Sequence, residues 1–265
     1  MSENKSSLIV PIAIIICLLL IAGAVYFKDK APKQELPVGV DLSQTLPLAE
    51  QINLGTFRPV DNTDKLFGET GAPIKLVVYT DLECPACKYF HQQIKLIEPR
   101  YITSGQVALV YREFPLDSIH SKVRTEFLAS ECVREIGGTD KYWQFVDRIF
   151  EITPSNNGLD LSQLAETAKE LKIDSKSYEA CVESEKYAEA IQQSLDEVIA
   201  LGGRGTPFWL IVTKDQVTPV YGAVDAARLS AAFDLLLAAE TEVEIEATST
   251  EAATETEETT VTAGN

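Results

Sequence analysis

Cys84 and Cys87 stand three positions apart in the run Asp81-Leu82-Glu83-Cys84-Pro85-Ala86-Cys87. That spacing serves as half of a zinc site, as an inert crosslink, or as a dithiol that opens and closes as a disulfide. Zinc needs a second pair of ligands, and the chain has no other C-x-x-C and no H-x-x-x-H, so no metal site is expected. Redox exchange needs one sulfur that ionises readily and a second that resolves the mixed disulfide. The flanking residues provide for the first. Ile74 to Thr80 is an apolar run that reads as a strand, and Phe90, Ile94 and Ile97 recur at helical spacing behind the cysteines, in a helix expected to end near Pro99. The motif therefore lies where a strand hands over to a helix. Cys84 falls near the N-cap, and Pro85 takes the first helical position, where its missing N–H costs nothing. Unpaired backbone N–H groups and the positive end of the helix dipole favour a thiolate there. Cys84 is the expected nucleophile and Cys87, one turn deeper, the resolving thiol, with Pro85 and Ala86 between them.

The elements that must hold this motif follow from the hydrophobic pattern. Gln106 to Tyr111 reads as a second strand, so strand, helix and strand form a βαβ unit with parallel pairing. The stretch from about 118 to 201 is helical throughout. Ile119, Val123 and Phe127 share one face, Leu128, Cys132 and Ile136 another, and Tyr142, Trp143, Val146, Ile149 and Phe150 form an apolar stripe. Three shorter helices follow, around Leu164, Tyr178 and Leu195, the last closed by Gly202-Gly203. Phe208 to Val212 and Val217 to Tyr221 read as a hairpin, and 225–239 as a final helix. The class is α/β, with a helical block inserted into a sheet that ends antiparallel.

These residues carry a resemblance. The C-x-x-C at a helix start, Phe114-Pro115-Leu116 followed by His120, the helical insertion and Gly205-Thr206-Pro207-Phe208 resemble DsbA-like thiol–disulfide oxidoreductases, over about residues 62–239. The resemblance implies a thioredoxin-like fold with an inserted helical subdomain. It also implies a cis Pro207 lying against the C-x-x-C, so that Thr206 and Pro207 shape the groove where a client strand docks. Strongly oxidising members carry a His as the second residue between the cysteines; Ala86 stands there instead, and the potential is left open.

The remaining segments set location. Residues 1–7 form a short N-terminal segment. Leu8 to Phe27 is twenty uncharged residues, long enough for one transmembrane helix. The rival reading is a signal sequence cleaved near Ala24, leaving a secreted or periplasmic protein. The apolar run continues past that point, which favours a single-pass anchor in the cell membrane. Lys28, Lys30 and Lys33 follow the span and argue by the positive-inside rule against an outside C-terminus, whereas the cysteine chemistry asks for an oxidising compartment. We give the chemistry precedence and expect the catalytic domain to be extracytoplasmic. Residues 28–61, with four prolines, read as a spacer in which Leu42 to Leu54 offers at most a short helix. Residues 240–265 hold eight Glu and no Lys or Arg, and read as a disordered acidic tail. That tail supplies nearly half of the net charge of −17, and no basic stripe offsets the rest, which argues against nucleic acid as a partner.

With Cys84 and Cys87 paired and Cys17 inside the apolar span, Cys132 and Cys181 are left over. A structural disulfide between them is expected, against the alternative of two free core thiols. His91 and the carboxylates Asp81 and Glu83 read as solvated, or as tuning the thiols, and His120 as making a structural hydrogen bond. The resulting expectation is an anchored, extracytoplasmic enzyme that oxidises client cysteine thiols during protein folding. Its redox-active disulfide carries the electrons, with no organic cofactor, and a membrane redox partner recharges it. Alternatives are an isomerase or reductase, or a tethered binding module that holds clients without turnover.

Overall fold

The computed structural model describes residues 41–49 and 52–241. The apolar span at 8–27 and residues 242–265 of the acidic tail lie outside the described residues, whereas 240 and 241, read as the start of that tail, belong to the last helix. Among the described residues, no helix is long and apolar enough to cross a membrane.

One five-stranded sheet organises the domain, in the order β1-β3-β2-β4-β5. Its strands are β1 (Lys65–Phe67), β2 (Ile74–Thr80), β3 (Val107–Glu113), β4 (Phe208–Val212) and β5 (Val217–Tyr221). Helix α1 (Pro85–Tyr101) crosses from β2 to β3, which run parallel with Val78 opposite Tyr111. β4 lies antiparallel on the other side of β2, with Val78 opposite Trp209. Between β3 and β4 the chain inserts α2 (Val123–Gly137), α3 (Thr139–Ile152), α4 (Ser162–Glu170), α5 (Ser175–Glu183) and α6 (Ala188–Leu201). A last helix, α7 (226–241), follows β5.

The central strands are apolar on both faces because both faces are covered. Leu76 and Val78, Leu109 and Tyr111, Trp209 and Ile211 point to the side packed by α1, α7 and the inserted helices. Val77, Tyr79, Val110, Phe208 and Leu210 point to the other side, closed by Val198 and Leu201 of α6. Pro219 sits in β5, an edge strand, where a residue without an N–H is tolerated.

Four features differ from the sequence expectation. The packed domain reaches back before residue 62: Leu42 and Leu46 are buried, and the Ala49 N–H donates to the Pro219 carbonyl at 2.9 Å. Prolines and sparse apolar residues gave this segment no periodicity, so its docking had no local signal. β1 is only three residues long and draws its place from antiparallel pairing with β3. Ile119 is exposed, because α2 begins only at Val123. Finally, α1 runs past Pro99 to Tyr101, with the proline in its last turn.

Candidate active site

The register of the sheet assembles the site. Tyr79 of β2 lies opposite Phe208 of β4, so the residues just after β2 meet those just before β4. Cys84 is the N-cap of α1, with extended backbone (φ −79°, ψ 122°), and Pro85 opens the helix. The Cys84 thiol donates to the Thr206 carbonyl at 3.7 Å, and the Thr206–Pro207 peptide is cis. Arg204, Gly205, Thr206, Pro207, Tyr221 and Gly222 line a cavity of about 410 Å³ on this side. Cys84 and Cys87 are free thiols, 7% and 2% exposed.

The two sulfurs are polarised in opposite directions. A hydrogen bond from the Cys87 thiol is the largest influence on Cys84; against the opposing effect of burial, and with Thr206 and the Cys87 and Ala86 amides, it brings the Cys84 pKa down to about 6. Burial, reinforced by the neighbouring Cys84 sulfur, pushes Cys87 well above the ordinary thiol range, although the Thr80 hydroxyl and the Asp81 backbone favour its thiolate. The arrangement is one ready thiolate backed by one protonated thiol.

A buried polar cluster lies behind the motif. Asp81 is fully buried; it accepts from the Glu83 and Leu116 N–H groups at 2.8 and 2.9 Å and pairs with His120 Nδ1 at 2.9 Å. Burial raises the Asp81 pKa, and these partners hold it in check. Burial alone would lower His120, but Asp81 outweighs it and raises the pKa, and Cys84 acts in the same direction. Glu83 is also fully buried. Its carbonyl accepts from the Asn156 N–H at 2.8 Å and its carboxylate from the Asn157 N–H. Ser155, Asn156 and Asn157 all adopt positive φ, so a loop in left-handed conformation closes over the residue preceding the nucleophile. Such backbone is uncommon outside glycine and clusters at functional sites.

Asp81 and Glu83 are therefore not solvated strand-end charges, and His91 is not a surface residue. His91 is 4% exposed, with Nδ1 at 2.8 Å from the Tyr111 hydroxyl and Nε2 at 3.0 Å from Asp147. The strand-end position of the carboxylates suggested solvent, whereas the α3–α4 loop covers Glu83 and the segment after β3 covers Asp81. Glu126 of α2 completes the cluster and was not singled out from the sequence. Its only trace there is a carboxylate beside the apolar positions Val123 and Phe127.

Of the other sequence candidates, Thr206 meets Cys84 through its carbonyl, Pro207 follows it across the cis peptide, and Pro85 and Ala86 form the first turn of α1. Cys132 and Cys181 are joined in a disulfide between α2 and α5, with their Cα atoms 5.8 Å apart. Among the described residues, no group of three or more His, Cys, Asp or Glu is placed to hold a metal ion.

A family model described as Thioredoxin matches residues 61–234. Relatives by sequence include a Na(+)/H(+) antiporter NhaA 1 of Mycolicibacterium vanbaalenii, 26% identical over 159 residues, covering 60% of this chain and 25% of that protein. The chain thus spans a quarter of that relative's length. A probable disulfide bond formation protein D of Bacillus anthracis is 25% identical over 151 residues, covering 55% of this chain and 68% of the other. Among solved structures, α-DsbA1 of Wolbachia pipientis is similar in fold, at 23% identity and a TM-score of 0.61, over 71% of this chain and 98% of that one.

Proposed function

The chain belongs to the thioredoxin family, and from that premise we propose that it is a thiol–disulfide oxidoreductase that oxidises client proteins outside the cytoplasm. The observation that carries this reading is the opposed polarisation of Cys84 and Cys87. In the oxidised state a client thiolate attacks Cys84, a client–Cys84 disulfide forms, and Cys87 leaves and takes a proton. A second client thiolate then attacks the client sulfur, and Cys84 leaves. Departure is faster the lower the pKa of the leaving thiol, and about 6 makes Cys84 a good leaving group. The cavity at Thr206 and Pro207 is the dock for the client segment beside the cysteine. The chemistry needs no metal and no organic cofactor, since the disulfide is the electron carrier. The name of the Bacillus anthracis relative supports disulfide formation over reduction. The uncharged run at 8–27 supports a single-pass anchor, and an anchored oxidase calls for a membrane redox partner to restore its disulfide.

Two measurements test this. The equilibrium reduction potential of the Cys84–Cys87 pair is expected to fall between the values of thioredoxin (about −270 mV) and DsbA (about −120 mV), because a thiol at about 6 lies between theirs. A value at the thioredoxin end would reverse the direction of electron flow and make the protein a reductase. In Cys87→Ser the Cys84 thiolate should attack the disulfide of an oxidised client, the reverse of the second exchange, displacing one client thiolate and leaving a covalent adduct on Cys84 that dithiothreitol releases. A variant that binds clients but forms no adduct would leave only a binding module.

A further inference from the structure

Two carboxyl side chains beside the dithiol have no part in that exchange. Glu83 directly precedes Cys84, Glu126 lies in the first turn of α2, and both are fully buried. The Asn157 N–H satisfies one Glu83 oxygen, but the other Glu83 oxygen and both Glu126 oxygens have no donor. The Glu83 carboxyl faces that of Glu126, Asp81 faces Glu126 as a further negative group, and Lys122 is the facing cation. The Lys122 ammonium is tied to the Leu159 carbonyl at 2.5 Å, and Asp81 is engaged with His120, which in turn faces Cys84. Two buried carboxyls facing each other, with no donor between them, cannot both ionise; a proton on one of them makes the missing hydrogen bond.

We propose that Glu126 holds a proton against the Glu83 carboxyl, and that this proton site is linked to the redox state of Cys84 and Cys87, the reduced protein holding the proton to higher pH than the oxidised one. The inference rests on the oxidoreductase reading. Reduction leaves a thiolate on Cys84, one residue from Glu83, and a new negative charge there disfavours loss of that proton. Burial, followed by Glu83 and Asp81, already pushes the Glu126 carboxyl up to about 9, which puts the linked window just above neutrality. The balance closes without another reactant. A client dithiol that becomes a disulfide gives up two electrons and two protons. Both electrons reduce the Cys84–Cys87 disulfide, one proton goes to Cys87, and Cys84 stays a thiolate. Within the window the carboxyl pair retains part of the second proton, which otherwise passes to solvent.

The test is the pH dependence of the redox equilibrium of the full chain with glutathione, corrected for the ionisation of glutathione itself. One proton per electron pair changes that equilibrium about tenfold, or about 30 mV, per pH unit. Between about pH 7 and about pH 9 the wild type should be steeper than this line, and Glu126→Gln should lose part of that excess, keeping the share owed to His120, whose pKa Cys84 also raises. A wild type on the one-proton line, or a Glu126→Gln slope equal to that of the wild type, would overturn the proposal. A second readout needs no variant. The infrared difference spectrum of the wild type at about pH 8.5 should gain a protonated-carboxyl C=O band on reduction, and its absence would overturn the proposal equally. A reversible couple with a one-proton slope defeats the linked proton alone. A cysteine pair that does not equilibrate with glutathione defeats the oxidoreductase reading, and the linked proton with it.

Discussion

Cys84 owes its acidity to what surrounds it as much as to its place at a helix start. The Cys87 thiol and backbone amides donate to its sulfur, and the His120 ring, held by Asp81 at 2.9 Å, adds a cation that faces it. Replacing His120 with Gln keeps a hydrogen-bond donor for Asp81 but removes the cation. The Cys84 pKa should then rise from about 6, by on the order of one unit, because an opposite charge nearby favours the ionised form. Thiolate absorbance in the ultraviolet, followed against pH in the reduced protein, reads this midpoint directly; an unmoved midpoint would remove His120 from the set of groups that tune the site. The two cysteines were legible in the sequence because their spacing, and the change from strand to helix periodicity around them, are local. Their polar surroundings were not. Whether Asp81 and Glu83 meet water depends on His120 and Asn157, which are 39 and 74 residues away in the chain. No window of sequence around a strand end contains that information, so both carboxylates read as solvated although both are fully buried.

Among the elements, those with a long repeating pattern were readable and those fixed by their partners were not. β2, β3 and β4 announce themselves as apolar runs, and α3 as an apolar stripe that packs Tyr142, Trp143, Val146, Ile149 and Phe150 inward. β1 has three residues and no pattern of its own, and 42–49 docks through two leucines and a few backbone bonds. The α3–α4 loop was equally hidden, since three consecutive positive-φ residues at Ser155, Asn156 and Asn157 are set by what the loop must touch. The inserted helices are short, and the Cys132–Cys181 link ties α2 to α5 across 49 residues of chain. Closing a loop of that length restricts the unfolded chain by about 4 kcal/mol in the entropic treatment, with about 2–4 kcal/mol typical of measurement. A Cys132→Ala, Cys181→Ala double variant should lose stability in that range in urea denaturation. The Cys84–Cys87 pair should continue to exchange with glutathione, because both its sulfurs belong to α1 and its N-cap. A loss under about 1 kcal/mol would mean that packing alone holds the insertion to the sheet.

For the whole molecule, buried charge makes stability depend on pH in a way that neither the sheet nor the helices determine alone. On one side of the fold, burial alone would raise Asp64, but hydrogen bonds from Arg112 and Arg58 outweigh it and hold it at about 2. Burial would likewise raise Glu131, and Lys65 and Arg134 bring it to about 2. Both carboxylates ionise more readily folded than unfolded. Their contribution is therefore complete above the ordinary carboxylate range and is lost as pH falls from about 4 toward about 2. Glu126 works in the opposite sense. Burial, then Glu83 and Asp81, push it up to about 9, so the folded protein binds a proton that the unfolded chain releases near 4.5. That contribution is complete below 4.5 and drains away as pH rises toward 9. His120, also raised in the fold, adds to the same alkaline loss from its ordinary value of 6.5 upward. In the oxidised protein, where Cys84 and Cys87 do not titrate, the unfolding temperature should peak near about pH 5 and fall on both sides. Glu126→Gln should flatten the alkaline limb and leave the acid limb in place, because the acid limb belongs to Asp64 and Glu131. Calorimetric scans of both proteins from about pH 3 to about pH 9 check this. A wild type whose unfolding temperature does not fall from pH 5 to pH 9 would mean that Glu126 holds no proton in the fold above the ordinary carboxylate range, and that the acidic interior is relieved by rearrangement around Lys122 instead.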